Sequence, residues 1–150
     1  MYRSLFQNAQ EELNTAQYLL NVTLRSLKDP HILVNVIIHI HSCLNYAITA
    51  LLEYDYQHNT ISRSNDSQII LYQKSAKLHH LESTHLTFIK KINQIIELHK
   101  KSPVEFQRGN KYVLADNQYR LEPLTLTKTQ EYIQTTTLFI NTINQITNRK

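Results

Sequence analysis

The chain has 150 residues, one domain's length, and can bury roughly two-thirds of the surface its unfolded form would expose. Apolar residues make up 41% and charged residues 19%, which excludes disorder; one Gly argues against Gly-rich phosphate cradles and many-turned all-β folds, and one Cys excludes a disulfide framework or a Cys-only metal cage. The net charge of +4 comes from scattered basic residues, so it permits nucleic acid or acidic partners without requiring them.

The opening segment, MYRSLFQNAQEEL, has acids at Glu11 and Glu12 and no apolar signal region, and a lone thiol suits a reducing compartment, so a cytoplasmic location is expected. A first helix is predicted from about Arg3 to Lys28, because Phe6, Ala9, Leu13, Ala16, Leu20, Leu24 and Leu27 recur on one helical face. Asp29-Pro30 stops it, and Asp29 can cap the next helix with Pro30 at its first position.

The second helix is predicted from about Pro30 to Gln57. Leu33, Ile37, Ile40, Leu44, Ala47, Leu51 and Tyr54 hold one seam, and Val34, Ile38, Ile48 and Leu52 a neighbouring one, so this helix meets at least two partners. Pro30 to Leu52 contains no charged residue and is long enough to span a bilayer. Asn35, His39, His41 and Asn45 would be expensive in hydrocarbon, which points to the core helix of a bundle and not to a membrane span. The polar segment His58 to Ser67 reads as a loop.

A third helix is predicted from about Gln68 to Lys100, with Leu71, Leu78, Leu81, Phe88, Ile92 and Ile95 on a heptad-like seam, room for a break near His79 to Thr84, and Ser102-Pro103 as its end. The period then changes from helical to alternating. VEFQR, KYVLAD and YRLEPL, separated by Gly109-Asn110 and Asn117-Gln118, read as two or three short antiparallel strands, an insert spanning about 104–124. The last helix is predicted from about Thr127 to Thr147, opened by a capping box at Thr127 and Gln130, with Tyr132, Thr136, Phe139, Ile143 and Ile146 facing inward. The fold expected for residues 1–150 is a single mainly α domain, an up-and-down four-helix bundle with a small antiparallel β-hairpin or meander before the last helix. An exposed edge strand could pair with a second copy, so a homodimer is expected.

Several groups qualify as candidate sites. His39, His41 and Cys43 cannot converge on a helix, where successive members lie about 200° apart, so no metal is expected there. His39, His41 and Asn45 remain candidates for an interior polar site. His79, His80, Glu82 and His85 lack the HExxH spacing and read as a polar break. On the hairpin, Phe106, Tyr112 and Tyr119 interleave with Arg108, Lys111 and Arg120; aromatics beside cations could stack single-stranded bases, and the same pattern suits a half-buried hairpin. No cofactor motif and no hydrolase nucleophile elbow is present in the sequence.

EELNTAQYLLN followed by VIIHIHSCLNYAITALLEY resembles the first two helices of HEPN-type proteins, and the segment from His99 to Ile133 resembles one found in small archaeal proteins related to that superfamily. The resemblance implies a helical bundle, often homodimeric, in a family that includes metal-independent ribonucleases and non-catalytic partners of nucleotidyltransferases. Active members carry R-x(4-6)-H near their C-terminal helices. Here the spacing occurs at Arg25 and His31, between helices one and two, so no catalytic role is carried over. The function expected is a non-catalytic binding or scaffolding module; the alternative is an RNA-binding protein or divergent ribonuclease, with Arg25, His31, Arg108, Lys111, Tyr112 and Arg120 as its first candidates.

Overall fold

The structure, a computed structural model, describes residues 1–102 and 104–148. It is mainly helical with a small antiparallel sheet, in the order expected. The first rod runs through α1 (Tyr2–Tyr18), a π-helical turn (Leu19–Thr23) and α2 (Leu24–Leu27). Ala9, Leu13, Ala16 and Leu20 are buried on the predicted face. The wider π turn sets the chain back by about one residue, roughly 100° around the axis. Leu27 consequently leaves the face it was expected to share and is 67% exposed.

Lys28 closes the rod in the left-handed conformation (φ +53°), its N–H bonding Leu24 O at 2.8 Å. Asp29 Oδ1 then accepts from the His31 N–H at 3.0 Å in the turn before α3 (Ile32–Gln57); the N-cap is His31, without a side-chain cap bond, so the start of this helix, expected at Pro30, moves two residues on. Members of both its seams are buried, including Leu33, Val34, Ile37, Ile40, Leu44, Ile48, Leu51 and Leu52; Ile38 is partly exposed. The reason is its central place: α1, α4 (Gln68–Leu78), α5 (Ser83–Lys101) and α6 (Leu126–Thr147) all pack against it. Length and apolarity alone would let α3 cross a membrane, and here they serve the core.

The third helix expected over 68–100 is divided into two, α4 and α5, within the window near His79 to Thr84 where the sequence left room for a break. His80 takes a left-handed φ of +56°, Leu81 N–H bonds Ala76 O at 2.9 Å, and His80 N–H bonds Lys77 O at 3.4 Å, a Schellman closure of α4. The same motif ends α3, with Asn59 left-handed and Thr60 N–H bonding Asp55 O. Pro103, read as the stop of the third helix, lies outside the described residues.

The strands β1 (Val104–Arg108), β2 (Lys111–Ala115) and β3 (Leu121–Leu124) form a meander of order β1-β2-β3. Arg108 pairs with Lys111 across a two-residue turn whose first position, Gly109, has φ +61°, a conformation open to glycine without strain. The register puts Glu105, Tyr112, Leu114, Glu122 and Leu124 on one face. That face meets the helices, with Leu114 and Leu124 buried in the core and Tyr112 packed against it. Val104, Phe106, Val113, Ala115, Leu121 and Pro123 share the opposite face. α6 is capped by Thr125, whose side chain accepts from the Lys128 N–H at 3.1 Å, so the expected Thr127–Gln130 capping box gives way to a cap two residues earlier. Thr129 and Thr136 are buried on α6 because each hydroxyl donates to the carbonyl four residues back.

Candidate functional site

The three residues singled out on α3 reach three different neighbours. His39 Nδ1 lies 2.6 Å from Glu12 Oε2 on α1, both side chains about a third exposed. His41 points toward α5, where Asn93 reaches its ring; burial, and after it the Lys100 ammonium, hold its pKa below the ordinary imidazole value. Asn45 lines a shallow depression with Leu5, Ser42, Tyr46 and Thr49. Cys43 is fully buried, and burial together with the Glu12 charge pushes its thiol up to about 12. Among the described residues no group of three or more His, Cys, Asp or Glu side chains is placed to hold a metal.

The hairpin residues also divide. Tyr112 donates its hydroxyl to Glu105 Oε1 at 3.0 Å, and Glu105 Oε2 is 2.7 Å from His99 Nδ1 on α5. His31 meets the Tyr112 ring edge-on at 5.1 Å between centroids. This polar chain ties the start of α3, both strands and α5 together, so Tyr112 belongs to the joint between sheet and helices. Arg120 is held by Asp116 at 2.8 Å, and Tyr119 is an exposed left-handed turn residue. Arg108 and Lys111 are exposed register partners at the tip, with the Arg108 guanidinium over the Phe106 ring at 5.4 Å. Arg25 and His31 are not joined by a hydrogen bond among the described residues: Arg25 faces a cavity and His31 packs on Tyr112.

At the α4–α5 break, sequence reasoning singled out His79 and its neighbours but missed their link to Asp55 and Ser75. Asp55, near the end of α3, is 0% exposed. Ser75 Oγ donates to its Oδ2, His79 Nε2 donates to Oδ1 at 2.7 Å, and Thr60 Oγ1 donates to Oδ1 at 3.2 Å. The buried carboxylate is thereby satisfied from α4, from the loop and from the helix break at once. His79 also borders a small recess with His80, Glu82 and His85. Burial keeps the His85 pKa below the usual imidazole value against the nearby Glu82 charge, and its Nδ1 has no partner among the described residues. The Ser–Asp–His composition is not a nucleophilic triad, because both Ser75 and His79 bond Asp55, whereas a nucleophile must bond the histidine.

A second feature is a cavity of about 430 Å³ where the π turn, the β1–β2 turn and the start of α6 meet. Leu20, Leu24, Pro30 and Leu126 supply its apolar surface, and Asn21, Arg25, Lys28, Asn110 and Gln130 its polar rim. It is more enclosed than the larger trough lined by Thr60, Ser64, Lys74 and Lys77. The residues come from three segments distant in sequence, 20–30, Asn110 and 126–130, and the π turn that aims the first leaves no mark in the hydrophobic pattern. No family model, characterised protein or solved structure shows a significant match to the chain.

Proposed function

We propose that this chain is a cytoplasmic, non-catalytic binding or scaffolding module that works as a homodimer, built on a HEPN-like up-and-down four-helix bundle. The observation that carries the reading is the exposed apolar pair Val104 and Leu121 on the two edge strands of the meander, on the side opposite Leu114 and Leu124. Val113 and Ala115 on its middle strand are buried, while Val104 and Leu121 on the flanking strands are 44% and 49% exposed. Exposed apolar residues on two unpaired strand edges are suited to a second copy. The acid–base side chains elsewhere support a structural use: Asp55–His79, Glu12–His39 and Glu105–His99 each link two segments of the fold. Light scattering on the purified chain should give twice the monomer mass, falling to the monomer in Val104→Lys/Leu121→Lys. A monomer at every concentration removes the homodimer. A nucleotidyltransferase-type protein fits the same reading as a partner of the dimer.

RNA binding is the second reading, and Arg108 and Lys111 favour it. They stand side by side at the hairpin tip with no carboxylate partner among the described residues, next to the partly exposed Phe106 ring. RNA should be retarded in a salt-dependent way, with the shift lost in Arg108→Ala/Lys111→Ala and weakened little by Arg120→Ala, whose cation is already neutralised by Asp116. Retardation indifferent to salt counts against it. The divergent-ribonuclease version, resting on Arg25 and His31, fails if mixed RNA stays intact with and without divalent metal.

A further inference from the structure

The cavity at the π turn has a build that the interior polar clusters lack. In those clusters every carboxylate faces a partner. Here cations and amides gather around an apolar surface, and no carboxylate lines it. Neither Arg25 nor Lys28 makes an ion pair or side-chain hydrogen bond among the described residues, and both are exposed. The acid nearest in sequence, Asp29, has its Oδ1 engaged by the His31 N–H. Two unneutralised cations beside a low-dielectric surface raise the positive potential at its mouth. Leu126 begins α6, so the positive end of that helix's dipole borders the same space and adds to it.

The backbone places these groups. After the π turn the rod is rotated by roughly 100° relative to an uninterrupted helix, which moves Arg25 and Leu24 to where they meet Pro30, Asn110 and Gln130. Lys28 is held left-handed at φ +53°, a conformation that a non-glycine residue adopts at some cost, and it lies on the cavity rim. Leu20 and Pro30 are buried beneath. A volume of about 430 Å³ is within the range of small-molecule sites, where apolar walls contribute burial and a few polar groups set orientation.

We infer that this cavity binds an amphipathic organic anion. Its carboxylate or phosphate head sits between Arg25 and Lys28 with the Asn21, Asn110 and Gln130 amides in reach, and its aliphatic body lies on Leu20, Leu24, Pro30 and Leu126. Arginine's planar fork matches either head group. The site is separate from the sheet face proposed for the dimer, so its failure leaves the oligomeric state untouched.

The test is isothermal titration of the full-length chain with octanoate, octyl phosphate, octanol and inorganic phosphate. One saturable site per chain is expected for octanoate or octyl phosphate, and the tighter of the two identifies the head group. Octanol, without the charge, and inorganic phosphate, without the tail, should each bind at least tenfold more weakly. Arg25→Ala/Lys28→Gly should weaken the anion at least tenfold while leaving octanol unchanged. Lys28→Gly relieves the left-handed strain, so a folded variant is expected, and its circular-dichroism melt checks this. Arg25→Lys, which keeps the charge and loses the fork, should fall between. Octanol binding as tightly as the anions, wild-type affinity in the folded double variant, or no saturable binding by either anion overturns the inference.

Discussion

Asp55→Asn isolates the energy of the buried carboxylate at the end of α3. The substitution keeps the volume and one acceptor oxygen, but replaces the other with an NH₂ group. Asp55 is 0% exposed, with Ser75 and His79 donating to opposite oxygens. With its oxygen kept toward His79 and Thr60, the amide turns its NH₂ toward Ser75, whose buried hydroxyl must switch from donor to acceptor; turned the other way, the NH₂ faces the His79 N–H. Losing a hydrogen bond to a charged group removes about 1.5–3 kcal/mol, and leaving its buried partner unpaired costs about 1–3 kcal/mol more. Together these give about 2.5–6 kcal/mol, a range that brackets the about 3–5 kcal/mol that removing one member of a buried pair costs. Domains of this kind are stable by about 5–15 kcal/mol, so the variant loses a large share. Urea unfolding reads it directly, and with a slope of about 2 kcal/mol/M the midpoint should fall by about 2 M. Glu12→Gln is the internal control. Its pair with His39 has nearly the same separation, 2.6 against 2.7 Å, but the side chains are 33% and 29% exposed where those of His79 and Asp55 are 13% and 0% exposed. Solvent screening should hold that loss below about 1 kcal/mol. A double-mutant cycle of Asp55→Asn with His79→Gln should show coupling of about 1.5–3 kcal/mol. If Asp55→Asn costs under about 1 kcal/mol, or no more than Glu12→Gln, burial is not what sets the strength of these pairs and the reasoning is refuted.

Three further outcomes are expected. Burial holds His41 and His85 below the ordinary imidazole value, while in the unfolded chain both titrate near about 6.5. The unfolded state therefore takes up protons that the native state resists; the contribution to stability is complete above about pH 6.5 and is lost as pH falls toward the native values. Urea titrations from pH 8 to 5 should show this decline, and a slope no shallower in His85→Leu would speak against it. Cys43, buried with its thiol raised to about 12, should react with a thiol reagent only when the chain opens, so labelling should accelerate with urea in step with unfolding; rapid labelling of the native protein would contradict its placement. Gly109→Ala adds a Cβ that meets nothing within 4 Å, so backbone strain at φ +61° is the whole penalty, about 1–2 kcal/mol by thermal or urea unfolding. An unchanged midpoint would mean the turn re-forms in another geometry.

The β-insert before the last helix was legible because its information is local, although the sequence left its strand count at two or three and the structure has three. Alternation over five residues, the lone Gly and the two-residue spacing between Arg108 and Lys111 specify a hairpin without reference to the rest of the chain. The apolar stripes of α1, α3 and α6 were legible for the same reason, and two seams on α3 already implied a central helix. The break between α4 and α5 falls where the sequence allowed one, but that it occurs was not settled by the sequence, because His80 takes a left-handed position where Gly or Asn is the usual signal. Leu27 was assigned inward because nothing in its spacing marks a π turn.

Candidate residues fared according to how far away their partners lie. Periodicity states which side of a helix His39, His41 and Asn45 occupy, but Glu12, Asn93 and Lys100, which surround the two histidines, come from other helices. Asp55 and Ser75 are twenty residues apart and look like unremarkable polar positions until α4 folds back on α3. Sequence alone indicated the helical and strand segments, the Gly109–Asn110 turn and most of the apolar faces, since each follows from backbone sterics and side-chain period within a few residues. The tertiary structure decided which polar groups neutralise one another and which, like Arg25 and Lys28, are left facing a cavity, because electrostatic pairing depends on distance through space and not along the chain.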